Sequence, residues 1–287
     1  MRPPNLKTRI FLDSGDPNET KHIVNLLGFL DGQTTNPTLI SKNPEAQKRL
    51  QQGEKYKQEE ILSFYRTVVE ELSSLMPEGS ISIEVYADLT TTAEQMLEQG
   101  HAFFSWIPNA HIKYPTTGEG LRAVQQSIKE GLRVNMTLCF TQEQAAAVYN
   151  ATNGAKKGDV YVSPFVGRLD DIGINGMDII RNITQMYRGG NGHVEVLAAS
   201  VRNIDHMLYA LQLGSDIITA PCKVLEDWAK NGMPMPDKSF HYQSALQPIP
   251  YKNIDLNKPW QECNITHDLT TKGIEKFAKD WNNLVIL

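Results

Sequence analysis

Short apolar runs alternate with longer amphipathic stretches through most of the chain. Eight runs carry the β-branched and aromatic enrichment of strands: residues 9–13 (RIFLD), 32–36 (GQTTN), 80–87 (SISIEVYA), 110–115 (AHIKYP), 133–140 (RVNMTLCF), 159–165 (DVYVSPF), 193–200 (HVEVLAAS) and 215–221 (SDIITAP). The second has little strand propensity and is assigned from the spacing of its neighbours. The intervening stretches show helical period. Residues 59–75 place Ile61, Leu62, Tyr65, Val68, Val69 and Leu72 on one stripe. The stretch 118–131 follows Thr117, an expected N-cap, and stops at Gly131. Thr141, Glu143 and Gln144 resemble a capping box for the helix after the fifth strand, and the helix after the seventh ends at Gly214.

Strand and helix alternating eight times imply a parallel sheet, and eight units within about 220 residues imply a closed (β/α)8 TIM barrel. Residues 1–235 are therefore expected to form an α/β barrel domain. Residues 236–287 read as a C-terminal extension packed on it, an irregular segment over 238–267 followed by a helix over 268–284. That helix has Asp268 as its expected cap, with Phe277 and Trp281 on one side. The charged, Gln-rich stretch 43–60 reads as an exposed loop-helix segment.

Side chains alternate across a strand. Ile10, Leu12, Ile83, Val85, Ile112, Tyr114, Val134, Met136, Leu138, Val160 and Val162 suit the side that faces the helices. The barrel interior then receives Phe11, Ser82, Tyr86, His111 and Tyr161, and with them six polar residues from five strands: Asp13, Glu84, Lys113, Asn135, Thr137 and Ser163. Burying so many polar groups costs several kcal/mol unless they pair with each other or with a ligand. One interior lysine beside one carboxylate would be an ordinary structural ion pair; six groups converging on one face point to a site.

Composition narrows what that site can be. The 287 residues are 40% hydrophobic and 21% charged, with a net charge of −5, which favours neither nucleic acid nor an anionic membrane as a partner. No apolar run approaches a membrane span, and the N-terminus does not read as a signal peptide, so the expected setting is cytoplasmic. Cys139, Cys222 and Cys263 are too scattered for a disulfide framework, and the seven histidines lack ligand spacing, so neither a metal nor another cofactor is expected. Without a metal, an interior lysine suggests amine chemistry: attack on a ketone gives a Schiff base, an electron sink for carbon–carbon cleavage. Arg168 and Arg202 follow the sixth and seventh strands, with Ser200 beside the second of them. Two guanidinium groups and a hydroxyl suit a phosphate dianion.

These residues resemble the transaldolase family. Seven segments occur in the family's order: FLDSGD, DGQTTNPTLI, SIEVYAD, IKYPTTGEGL, VNMTLCFT, SPFVGRLDD and AASVRNIDH, with GIEKFAKDW similar to its final helix. The resemblance implies transfer of a dihydroxyacetone unit from a ketose phosphate, sedoheptulose 7-phosphate or fructose 6-phosphate, to an aldose phosphate, glyceraldehyde 3-phosphate or erythrose 4-phosphate. By that resemblance Lys113 matches the Schiff-base lysine and Asp13 the acid/base at the C4 hydroxyl. Glu84 and Thr137 match the pair that holds the water of imine formation and hydrolysis. Asn36 and Asn135 match contacts to the dihydroxyacetone hydroxyls, with Thr34 and Ser163 nearby. Arg168, Ser200 and Arg202 match phosphate contacts.

The related fructose-6-phosphate aldolases usually carry Gln at the position of Glu84 and Tyr at that of Phe165. Phe165 cannot protonate a free enamine, which favours transfer over cleavage. A lyase of that kind and a non-catalytic sugar-phosphate-binding barrel are the alternatives. Tyr114 departs from the small aliphatic residue common in the family; it is expected to alter packing against the helices and leave the chemistry intact. Small sugar phosphates are the expected partners, and a homo-oligomer is left open.

Overall fold

The computed structural model describes residues 2–286. Eight parallel strands close into a barrel in sequence order, β1 pairing with both β2 and β8. The strands are β1 (Arg9–Asp13), β2 (Gly32–Thr34), β3 (Ser80–Glu84), β4 (Ala110–Pro115), β5 (Val134–Cys139), β6 (Val160–Pro164), β7 (Val194–Ala198) and β8 (Ile217–Ala220). Between β1 and β3 lie α1 (Pro17–Leu27), α2 (Pro37–Ser41), α3 (Pro44–Gln51) and α4 (Gln58–Leu75). The next helices are α5 (Ala93–Phe104), α6 (Gly118–Lys129), α7 (Gln142–Ala151), α8 (Val166–Asp170), α9 (Met177–Tyr187), α10 (Ile204–Leu213) and α11 (Cys222–Lys230), and α12 (Asp268–Asn282) is the last helix among the described residues. No helix among the described residues is long and apolar enough to cross a membrane.

All eight expected strands form; β1 and β4 keep their expected bounds and the other six are shorter than their sequence pattern. β2 stops at Thr34, because Asn36 leaves the sheet to cap α2, its Oδ1 accepting from Leu39 N at 2.9 Å. β3 stops at Glu84, and Tyr86, expected in the interior, is half-buried beyond the strand end. Thr117 and Thr141 cap α6 and α7 as expected. The box at Thr141 is one-sided: Gln144 turns its Oε1 to Phe140 N at 2.7 Å and its Nε2 to Thr270 Oγ1 at 2.9 Å. α12 is capped by His267 and not by Asp268, His267 Nδ1 accepting from Leu269 N at 3.2 Å.

The α4 stripe is buried as patterned, with Leu62 at its half-exposed edge. Tyr114 faces the helices, its hydroxyl 3.0 Å from Ser127 Oγ on α6. It fits because α5 carries Gly100 opposite, where a Cβ would lie 2.0 Å from the Tyr114 hydroxyl.

Alternation fails at one residue. The register of β5 against β6 shifts between Met136 and Cys139, and Leu138 takes φ 56°. A β-bulge of this kind re-aims a side chain. Leu138 meets α12 at Gly273, whose missing Cβ leaves it room, so it does not continue the row of Val134 and Met136.

The floor of the barrel is polar and closed. Arg9 Nη2 contacts Glu195 Oε2 at 2.7 Å, and Arg9 Nη1 donates to the Tyr161 hydroxyl at 3.0 Å. His111 stacks on Tyr161 with ring centres 4.1 Å apart. Burial depresses the His111 pKa to about 3, so the ring is neutral; Nε2 donates to Gly158 O and Nδ1 accepts from Ser80 Oγ. Access to the interior is therefore from the C-terminal ends of the strands.

The tail runs back over the barrel. Asn175 N donates to Gln247 O, Ile249 N to Asp178, Lys252 N to Gln142 and Trp260 N to Asn150. The stretch 43–60, expected as a loop-helix segment, contains α3 and then Tyr56, which exchanges backbone hydrogen bonds with Leu284 and Ile286.

Candidate active site

The ends of β3 and β4 pair Glu84 with Lys113 in register. Lys113 Nζ lies 3.0 Å from Glu84 Oε2, with both side chains buried, and also donates to Thr35 O at 3.1 Å. Thr35 spends its own proton on Ser82 O, so the hydrogen bond of 2.6 Å between Thr35 Oγ1 and the Tyr65 hydroxyl is donated by Tyr65. The same hydroxyl accepts from Glu84 N at 3.0 Å. Tyr65, reaching in from α4, thus fixes the backbone on both sides of the ion pair.

Asp13, at the end of β1, accepts from Thr34 Oγ1 at 2.6 Å. Thr34 also contacts Thr219 Oγ1 at 2.6 Å; its one proton is committed to Asp13, so Thr219 donates. This short chain orients the Asp13 carboxylate, which is set among protein groups yet keeps some surface open to the cavity. Burial raises the pKa of both Asp13 and Glu84, with Lys113 opposing in each case.

Asn135 lies beyond Lys113 on β5 and is fully buried. Its Oδ1 accepts from Ser163 Oγ at 2.6 Å, and its Nδ2 donates to Ser82 Oγ at 3.0 Å. Thr137 is buried with its Oγ1 lacking any protein partner.

A cavity of about 630 Å³ opens above these residues. Of the expected site residues, Asp13, Thr34, Asn36, Lys113, Ser163, Phe165, Arg168, Ser200 and Arg202 line it. Glu84, Asn135 and Thr137 do not, and lie behind the lining. Arg168 sits between two aromatic rings, its guanidinium 5.2 Å from the centres of both Phe165 and Phe277. Burial lowers its pKa, with Glu84 pulling the other way. Among the described residues no carboxylate comes within ion-pair distance of it. Arg202 is partly engaged, 3.0 Å from Asp171 at the exposed rim, and its Nε lies 3.4 Å from Ser200 Oγ. Ser200 itself has φ 57°, a strained backbone for a non-glycine residue.

Sequence alternation missed one wall of the cavity. Lys42 after α2, Thr219 on β8, and Leu269, Lys272, Lys276 and Phe277 on α12 all line it. A β8 threonine was open to the alternation argument; the α12 residues were not, because nothing in their spacing says which part of the barrel a distant helix covers.

This arrangement sets a lysine amine against two separately held carboxylates, below a cationic rim. It can form and hydrolyse an imine and move a proton at a second position, with an anionic group held above. Cys139, Cys222 and Cys263 are free thiols, and burial pushes Cys139 up to about 12. The one His, Cys and carboxylate trio close enough to share a metal among the described residues is His22, Cys222 and Glu226, none of which lines the cavity.

Comparison with known proteins agrees in scope. The family model described as Transaldolase/Fructose-6-phosphate aldolase matches residues 10–286. A probable transaldolase of Dehalococcoides mccartyi is 40% identical over 96% of this chain and 99% of its own length. Probable transaldolases of Caulobacter sp. and Roseiflexus sp. are 36% and 34% identical, each over 95% of this chain and 96% of their own. Among solved structures, 3-hexulose-6-phosphate synthase from Salmonella typhimurium has a TM-score of 0.50 at 10% identity, covering 78% of this chain and 97% of its own, a likeness of fold.

Proposed function

Because the chain belongs to the transaldolase/fructose-6-phosphate aldolase family, we propose that it is a transaldolase working through a Schiff base on Lys113. The observation that carries this reading is Lys113 at the base of the cavity, 3.0 Å from Glu84, with Asp13 held apart on β1. The Lys113 amine attacks the C2 carbonyl of the ketose phosphate; the carbinolamine loses its oxygen as water, with Glu84 and Thr137 handling proton and water. Asp13 then takes the C4 hydroxyl proton as the C3–C4 bond breaks and its electrons pass to the iminium nitrogen. The aldose phosphate leaves, the three-carbon enamine attacks an acceptor aldehyde, Asp13 returns the proton, and hydrolysis frees the new ketose.

Asn36, Thr34 and Ser163, which line the cavity, are the contacts for the dihydroxyacetone hydroxyls, and Asn135 positions Ser163 from behind the lining. Arg168, Ser200 and Arg202 hold the phosphate, with fructose 6-phosphate or sedoheptulose 7-phosphate as donor and erythrose 4-phosphate or glyceraldehyde 3-phosphate as acceptor. Phe165, lining the cavity with no acidic proton, leaves the enamine to wait for its acceptor, which favours transfer over release. The setting is cytoplasmic sugar-phosphate metabolism.

The test is borohydride reduction in the presence of fructose 6-phosphate. The expected result is a mass adduct on Lys113 that is absent from Lys113→Ala; no adduct, or one that survives the substitution, overturns the reading. Free dihydroxyacetone released without acceptor would favour a lyase, and binding of sugar phosphate with no exchange of labelled three-carbon units a non-catalytic barrel.

A further inference from the structure

Lys113 lines the main cavity, Glu84 lines a second and smaller one, and no residue lines both. The ion pair of 3.0 Å therefore stands as the partition between two spaces. The second space, about 210 Å³, is bounded by the exposed residues Gln58, Glu98 and Ala102 of α4 and α5. Leu62, Phe103 and Trp281 form its apolar walls, and Glu84 is its buried acid.

We propose that this side pocket is the passage by which water reaches and leaves Glu84 while the substrate fills the main cavity; the inference rests on the imine reading above. Imine formation breaks the carbinolamine C–O bond and expels the oxygen, protonated, as one water; hydrolysis brings one water back and re-forms that bond. Both events occur at Lys113 with the ketose phosphate or its three-carbon remnant above it. Water that had to use the main cavity would pass the sugar each time. The side pocket far exceeds the roughly 10–15 Å³ that one water needs by this measure. It is a third the size of the main cavity, about 210 against 630 Å³. Gln58 and Glu98 stand at its exposed side and Glu84 is its buried acid, with the half-buried Tyr86 and Gln99 among the apolar walls, so polar groups are spaced along a path that water can follow.

The experiment plugs the passage from either wall, with Ala102→Trp and separately Leu62→Trp, and uses Ala102→Ser as the unplugged control. Enzyme is incubated with fructose 6-phosphate in ¹⁸O-water without acceptor, and label entering the C2 oxygen is followed by mass spectrometry above the uncatalysed background. Both tryptophan variants are expected to slow exchange and turnover about tenfold. The extent of borohydride-trapped adduct at equilibrium should stay unchanged, because a narrowed passage slows both directions alike. Melting temperatures identify a variant that has failed to fold, and the variant on the other wall then decides. Unchanged exchange in a folded, plugged variant overturns the passage, as does an equal loss in Ala102→Ser. Absence of any trapped adduct in the wild type instead overturns the imine reading on which the passage depends.

Discussion

Lys113 and Glu84 form a buried ion pair across neighbouring strands, Nζ to Oε2 at 3.0 Å, with side chains 3% and 4% exposed. Removing one partner strands the other charge where water cannot solvate it, at a cost of about 3–5 kcal/mol. Glu84→Gln is therefore expected to lower unfolding free energy by roughly that amount at neutral pH. The double variant Glu84→Gln/Lys113→Met should recover at least half of the loss. Urea unfolding of the wild type and the two variants checks this; a double variant no more stable than Glu84→Gln would show that the pair is not what sets the cost.

Tyr65 supports that pair without touching the cavity. Its hydroxyl accepts from Glu84 N and donates to Thr35 Oγ1, and the Thr35 carbonyl receives Lys113. Tyr65→Phe leaves a buried N–H unpaired and is expected to cost about 1–3 kcal/mol in stability. Because the backbone on both sides of Lys113 and Glu84 is released, kcat should fall while KM for the ketose phosphate holds. Steady-state kinetics beside a denaturation curve separate this from a packing effect, which would lower stability with kcat intact.

The pH profile follows from Asp13. Burial raises its pKa above the ordinary value of 3.8, more than Lys113 and the Thr34 hydrogen bond lower it. In the proposed mechanism Asp13 accepts the C4 proton as a carboxylate, so turnover is expected to fall as pH drops through the raised value, with the acid limb of kcat above 3.8. The stability sign is the reverse of an exposed salt-bridged acid. The folded state holds its proton to higher pH than the unfolded chain, so stability falls as pH rises from the unfolded to the folded pKa and is level beyond. Asp13→Asn should remove this slope, leaving the part due to Glu84, whose pKa is raised in the same direction. Urea midpoints across that pH range test it; an unchanged slope would assign the titration elsewhere.

Period-two alternation was enough to bring Asp13, Glu84, Lys113, Asn135 and Ser163 to one end of one barrel, because a parallel barrel leaves each strand only two faces. It failed at Leu138, where a bulge with φ 56° breaks the period, and a bulge leaves no fixed mark in a single sequence. Tyr65 was legible as a stripe residue on α4, but its hydroxyl contacts depend on β2 and β3 being adjacent in space. The least legible part was α12. Phe277 and Trp281 were correctly paired by spacing, yet Phe277 faces Arg168 and Trp281 faces Tyr65, on opposite sides of the ion pair. That division is fixed by how α12 lies against α2 and β5, which no local pattern encodes.

Tyr114 fits only because Gly100 lies opposite. Gly100→Ala would put a Cβ 2.0 Å from the Tyr114 hydroxyl, and overpacking of this kind costs about 1–3 kcal/mol. Adding Tyr114→Phe removes the colliding oxygen and should restore most of the loss. Thermal unfolding of the single and double variants decides; a double variant no better than Gly100→Ala would place the strain in the helix.

Arg168 is held between Phe165 and Phe277 at 5.2 Å from each ring centre. Its guanidinium faces no carboxylate partner among the described residues, so the rings set its position while its charge stays available to a phosphate. A cation–π contact at a partly exposed site is worth about 0.5–1 kcal/mol. Phe277→Leu keeps an apolar side chain at the position and removes the π face. It should raise KM for phosphorylated donors about two- to fivefold with kcat nearly unchanged. Dihydroxyacetone transfer from an unphosphorylated ketose, which makes no use of Arg168, should be unaffected. In the Arg168→Lys background the Phe277→Leu effect should shrink, because both changes act on the same contact. Additive effects in the double variant, or an equal loss with the unphosphorylated donor, would mean that Phe277 shapes the cavity wall and does not act through Arg168.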